Sequence, residues 1–103
     1  MSFFAPQTEV LDLGNGNTVQ LRKLTYAEMS SIYDDPETEE RRGLLITQKA
    51  LHTWTGPDFD GRPATYENMM ALPARITLDV IQFAVKINTL STEEGEASGV
   101  ATS

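Results

Sequence analysis

Polar and apolar residues alternate twice near the start of the chain, within "EVLDLGNGNTVQLRKL" (residues 9–24). Leu11 and Leu13 alternate with polar neighbours, and so do Val19 and Leu21. A period of two is that of a strand with one buried face. Between the two runs, "GNGN" supplies residues that tolerate positive φ. The pattern predicts a β-hairpin with strands at about 9–13 and 18–23.

The period then lengthens. In "LTYAEM", Thr25 reads as an N-cap and Glu28, three on, closes a capping box. Leu24 and Met29 occupy the two positions of a hydrophobic staple. This short helix ends at "YDDP". Asp35 before Pro36 predicts the cap of a second helix, with Glu37, Glu39 and Glu40 near the positive end of its dipole. Leu44, Leu45, Leu51 and Trp54 carry that helix to about residue 54, Gly43 weakens it locally, and Gly56 with Pro57 stops it. Past an acidic loop, Thr65 caps a helix of one to two turns that carries Met69 and Met70.

Pro73 opens the last helix, at about 74–90. Arg75, Asp79, Gln82, Lys86 and Thr89 fall three or four apart and form one polar stripe. Ile76, Val80, Phe83, Ile87 and other apolar residues occupy the rest, a wider face than one hairpin and one neighbouring helix need. "STEEGEASGVATS" has too few apolar residues to offset its ordering entropy. The expectation is an α+β fold: an N-terminal β-hairpin followed by a small bundle of about four helices. One domain, 9–90, lies between a flexible arm, 1–8, and a flexible, disordered acidic tail, 91–103.

Composition narrows the classes. With 103 residues the chain holds one domain, and a folded part of roughly 80 residues lies near the size where one core is marginal. Partner binding or self-association would then add to stability. The absence of cysteine excludes a disulfide framework and a thiolate metal site. Fifteen acidic against eight basic residues give a formal charge of −7. The basic residues are scattered singly except for Arg22-Lys23 and Arg41-Arg42, which argues against nucleic acid as a partner. No apolar run reaches the roughly 18 residues of a membrane span, and 76–90 is interrupted by Asp79, Gln82, Lys86 and Asn88. The first basic residue is Arg22, so the start lacks the charge of a secretory signal. A soluble protein with no membrane contact is expected.

The most suggestive chemistry lies in "GPDFDGRPATYE" (56–67). With Gly61 at position 6 of a calcium loop, Asp58, Asp60 and Glu67 fall at positions 3, 5 and 12. Position 1 is then Gly56, which has no side-chain ligand, and Pro63 cannot donate a backbone hydrogen bond. Thr65 is also needed as a helix cap. The loop reads as a connector with an Asp-Gly turn, and no metal or cofactor is expected. His52, the one histidine, has neither a cysteine nor a G-x-S-x-G elbow to work with. The glutamates at 37, 39 and 40 read as helix-start charge. "LGNGN" lacks the strand-then-helix setting of a phosphate loop. No catalytic residue emerges, and the chain is not expected to be an enzyme. Phe3, Phe4, Met69 and Met70 are the candidate partner-binding residues. Core burial is the ordinary fate of such pairs, but methionine also suits surfaces that bind apolar segments, and a Phe pair on an arm is costly unless it docks.

The order of parts resembles a known family. "VLDLGNGNTVQLRKLTYAEM", the acidic "DFDGRPAT" loop, "ENMMALP", the helix "ARITLDVIQFAVKINTL" and an acidic tail look like the small tail assembly chaperones of long-tailed bacteriophages. The likeness covers about residues 9–90 and rests on architecture and on degenerate phrases such as "DGRPATYENMMALPA". It implies no cofactor and no reaction. It implies binding of the long, apolar tape-measure protein in the cytoplasm of the infected bacterial host, assisting tail assembly without entering the finished virion. In many members a ribosomal frameshift adds a second domain that recruits tail-tube protein. A structural tail or head–tail connector subunit, or a small acidic cytosolic protein–protein adaptor, is the alternative.

Overall fold

The computed structural model describes residues 2–35 and 41–89. The chain is α+β, and the described residues form a three-stranded antiparallel sheet with four α-helices. Strand β1 (Thr8–Gly14) turns through Asn15 and Gly16 into β2 (Asn17–Arg22). Both turn residues have positive φ, 57° and 81°, as the two-residue hairpin turn that matches strand twist requires. Leu11 lies opposite Val19, so Val19 and Leu21 of β2 and Leu11 and Leu13 of β1 share the face turned to the core.

Helix α1 (Tyr26–Tyr33) begins as its sequence predicts. The Thr25 hydroxyl accepts from the Glu28 N–H at 3.1 Å, and Glu28 accepts from the Thr25 N–H at 2.9 Å. Helix α2 (Arg42–Ala50) follows. The helix start expected at Asp35–Pro36 falls on residues 36–40, outside the described residues. The far end of that expected helix is overturned. Residues 51–54 are not helical but belong to strand β3 (Leu51–Thr55), which pairs antiparallel with β2 and gives the sheet the order β1-β2-β3. Leu51 and Trp54 fit a helical spacing, yet "LHTWT" is rich in the β-branched and aromatic types that suit a pleated surface. The open edge of β2 supplies the partner that decides between the two, with Trp54 opposite Val19.

Beyond a 3₁₀ turn (Pro57–Phe59), α3 (Tyr66–Met70) and α4 (Ala74–Asn88) complete the fold. The Thr65 hydroxyl caps α3 by accepting from the Asn68 N–H at 3.1 Å. The core combines Val19, Leu21, Trp54, Ile46, Met69 and Val80, with Ile32, Ala50, Phe59 and Ala84 around them. Helix α4 packs chiefly against α2, with Gly43 at the crossing: a Cβ there would lie 3.3 Å from Ile81. The wide apolar face of α4 is consequently covered within the molecule. Thr77, Val80, Ala84 and Asn88 are buried, Ile76, Ile81, Phe83, Val85 and Ile87 are half-buried, and of its large apolar residues Leu78 stands mostly in solvent. Most of the apolar face that looked over-wide in the sequence therefore lies against α2 and the sheet, while Ile87 near the helix end borders an open groove. The expected tail, 91–103, lies outside the described residues.

Candidate functional site

The acidic loop is tied down by its neighbours. Asn17, buried at the hairpin end, donates from Nδ2 to Asp58 Oδ2 (2.8 Å) and to the Gly14 carbonyl (3.0 Å). Its Oδ1 accepts from the Asp58 N–H at 3.1 Å. This close approach is why residue 56 is glycine: a Cβ would come within 2.6 Å of the Asn17 Cα. Trp54 stacks on Phe59 with ring centroids 4.4 Å apart, and its indole N–H donates to the Arg62 carbonyl at 2.6 Å. Asp58 is thus engaged with the hairpin, and Asp60 sits in a left-handed turn. Glu67 lies in the first turn of α3. A strand enters this loop where an EF-hand has a helix. Among the described residues no group of three or more His, Asp or Glu side chains gathers to hold a metal ion. His52 lies exposed on the edge strand β3 and not on a helix.

The four candidate partner-binding residues separate into two kinds. Met69 is fully buried among core side chains, so it belongs to the interior and not to a contact surface; Met70, next to it, is about half exposed. A five-residue helix turns adjacent side chains to different sides. Phe3 and Phe4 are 88% and 98% exposed. They lie in a turn in which the Phe4 N–H donates to Ser2 Oγ (3.2 Å) and the Ala5 N–H to the Ser2 carbonyl (3.4 Å). The Lys23 N–H donates to the Gln7 carbonyl at 2.8 Å, which fastens the arm alongside β2.

Beside this arm runs an open trough. Its middle is a groove of about 580 Å³ with Leu24, Tyr26, Met29, Ile87 and Thr89 in its walls and Lys23, Lys86 and Glu9 at its rim. Lys23, Leu24 and Thr25 join it to a second groove of about 410 Å³ that the arm itself borders. Tyr26, Met29 and Thr89 join it to a third, about 360 Å³, that ends at Tyr33. Tyr26 is 82% exposed and Tyr33 42%. Lys23 and Glu9 pair across the rim at 3.6 Å. Met70 does not line the trough.

Tyr26, Met29 and Tyr33 lie three and four apart, so this stripe of α1 is readable in the sequence as an i, i+3, i+7 apolar face. The staple role of Met29 had accounted for only one of the three. The trough also needs the end of α4 beside α1, and that juxtaposition has no local signal. It is set by Asn88, whose Oδ1 accepts from the Leu24 N–H (2.6 Å) and whose Nδ2 donates to the carbonyls of Arg22 (3.2 Å) and Ala84 (3.0 Å).

Fold and site together describe a small α+β domain with an aromatic pair displayed beside an apolar trough, a geometry that suits binding of another polypeptide. Scanned against known family models, curated proteins and solved structures, the chain matches none.

Proposed function

We propose that this chain is a tail assembly chaperone of a long-tailed bacteriophage. It binds the tape-measure protein in the cytoplasm of the infected host, keeps it soluble, and assists tail assembly without entering the finished virion. It does so by apolar contact alone, with neither cofactor nor reaction. One observation supports the binding role: Phe3 and Phe4, exposed on the arm, border a groove that shares Lys23, Leu24 and Thr25 with the neighbouring groove lined by Tyr26, Met29 and Ile87. An amphipathic helical segment buries its apolar stripe in such a groove, anchored at residues three or four apart. The tape-measure identity of that segment comes from the family resemblance of residues 9–90. The formal charge of −7 favours solubility of the resulting complex. A longer frameshifted form would add the contact with tail-tube protein.

Co-expression tests the proposal. The tape-measure protein encoded beside this gene should move from the insoluble to the soluble fraction and elute together with the chaperone. Phe4→Asp and Met29→Asp should abolish this rescue, whereas Gln48→Asp, on the exposed side of α2, should leave it unchanged. Rescue by all three variants alike would remove the trough as the binding site. Failure of the wild type, with the protein found in finished virions, would establish a structural tail subunit instead.

A further inference from the structure

One carboxylate of the acidic loop borders a cavity at the opposite end of α4 from the trough. Asp58, exposed to solvent, lines this space of about 310 Å³ between the hairpin turn and the α3–α4 link. Phe59, stacked on Trp54, faces it from the loop, and Leu13, Leu72, Pro73 and Ile76 supply the other apolar walls. Asn15 and Asn17 complete the lining, and no described Lys, Arg or His takes part. We propose that this cavity binds a lysine or arginine side chain of a partner polypeptide, its aliphatic stem on the apolar walls and its cationic head on the Asp58 carboxylate.

Three features select this occupant. The carboxylate is preset: Asn17 donates to its Oδ2 at 2.8 Å and accepts from the Asp58 N–H, which leaves Oδ1 with no partner among the described residues. A cation that meets a carboxylate already held in place orders little more of the protein. Charge complementarity then requires that cation, because the lining carries one carboxylate and no positive group. The walls require an apolar stem. Lysine and arginine lay their methylene chains on such surface and keep the charged head near water, where Asp58 stands. A free diamine fits less well, because its second ammonium would lie against Leu13, Leu72 or Ile76 with no carboxylate to meet it. In a polypeptide that far end is a neutral peptide group, which Asn15, exposed on the hairpin turn, can hydrogen-bond.

The cavity and the trough are separate sites. Ile76 lines the one and Ile87 the other, and both lie on α4, about 17 Å apart along a helix that rises 1.5 Å per residue. Their chemistry differs as well. The trough recognises apolar surface, whereas the cavity discriminates by charge and should lose affinity as salt screens the ion pair. The assignment therefore does not depend on the tape-measure reading.

Amide NMR titration of the isotope-labelled full chain is the test. The probes are Nα-acetyl-lysine methylamide, Nα-acetyl-arginine methylamide, the uncharged Nα-acetyl-norleucine methylamide, and putrescine. A lysine or arginine probe should shift the Asn17 side-chain amide and the backbone amides of Asp58, Leu72 and Ile76, saturating in the millimolar range. The norleucine probe and putrescine should bind about 5-fold or more weakly, the worth of one partly solvated ion pair. Asp58→Asn keeps an acceptor for Asn17 but removes the charge, so it should weaken the lysine and arginine probes by the same factor and leave norleucine unchanged. Asp60→Asn, outside the lining, should alter neither. Added salt should weaken the charged probes alone, a readout that needs no variant. The proposal is overturned if neither residue probe gives saturable shifts at these amides, or if norleucine binds as tightly as they do. Unchanged lysine and arginine binding in Asp58→Asn, or at high salt, would also overturn it. Tighter binding of putrescine would replace the partner side chain by a free polyamine.

Discussion

Asn88 looks in the sequence like one more polar interruption of an apolar run, and its position in the fold gives it another role. It is buried near the end of α4 and joins the helix to the β2–α1 link through the Leu24 N–H and the Arg22 carbonyl. Asn88→Ala removes the partner of both part-buried backbone groups, and an unmet buried group costs about 1–3 kcal/mol. Urea denaturation should show a loss of about 2 kcal/mol or more, and a change near zero would mean that water replaces the amide. Glu28 is the residue whose effect depends on pH. The Arg22 guanidinium, at 2.9 Å, and the Thr25 amide hold its carboxyl down from an ordinary 4.5 to about 2. A depressed carboxylate stabilises the fold fully above its unfolded pKa and loses that contribution as pH falls through the folded one. The window is thus pH 4.5 down to about 2. Because the pair is partly solvated, Glu28→Gln should cost only about 1 kcal/mol at neutral pH. That difference should vanish near pH 2, and urea midpoints measured across the window would show whether it does.

At the scale of elements, α3 makes the sharpest prediction. Met69 and Met70 are neighbours, one fully buried and one half exposed. Met69→Ala should cost about 2–5 kcal/mol by opening a cavity, and Met69→Asp should abolish cooperative thermal unfolding. Met70→Asp should leave the melting temperature within a few degrees. Equal effects in the two would show that α3 is turned otherwise. The "MM" pair is plain in the sequence, but the pattern of so short a helix leaves its phase open, so which member faces inward is not written there. The hairpin, the capping box at Thr25 and Glu28, and the Thr65 cap were legible because each is written within a few adjacent residues. Strand β3 was not. Leu51 and Trp54 extend the helical spacing of Leu44, and what makes them a strand is pairing with residues 18–21, thirty or more positions earlier. The same holds for the trough: its α1 stripe is written locally, and its α4 wall is not.

At the scale of the whole molecule, the described core is complete by Asn88, and the residues beyond it contain little apolar surface to bury. A chain ending at Ser91 should therefore melt within a few degrees of the full one, and loss of cooperative unfolding would place part of the core in residues 92–103. The clip formed by Asn88 has a further consequence, one that bears on synthesis. It joins positions 64 and 66 residues apart, so the N-terminal strands meet their last tie only when nearly all of the domain has been translated. At roughly 5–20 residues per second, about 2–7 s separate the end of β3 from the appearance of Asn88. Over that interval the nascent sheet has its hairpin but no α4 to cover Val19 and Leu21. Ribosome-bound chains arrested with Asn88 still in the exit tunnel should be cut readily by protease, and those arrested with α4 fully outside should resist. Equal resistance would mean that the sheet closes on α2 alone. On this account the trough, one wall of which is the end of α4, is the last part of this domain to assemble, and the domain has no complete binding surface until α4 has emerged.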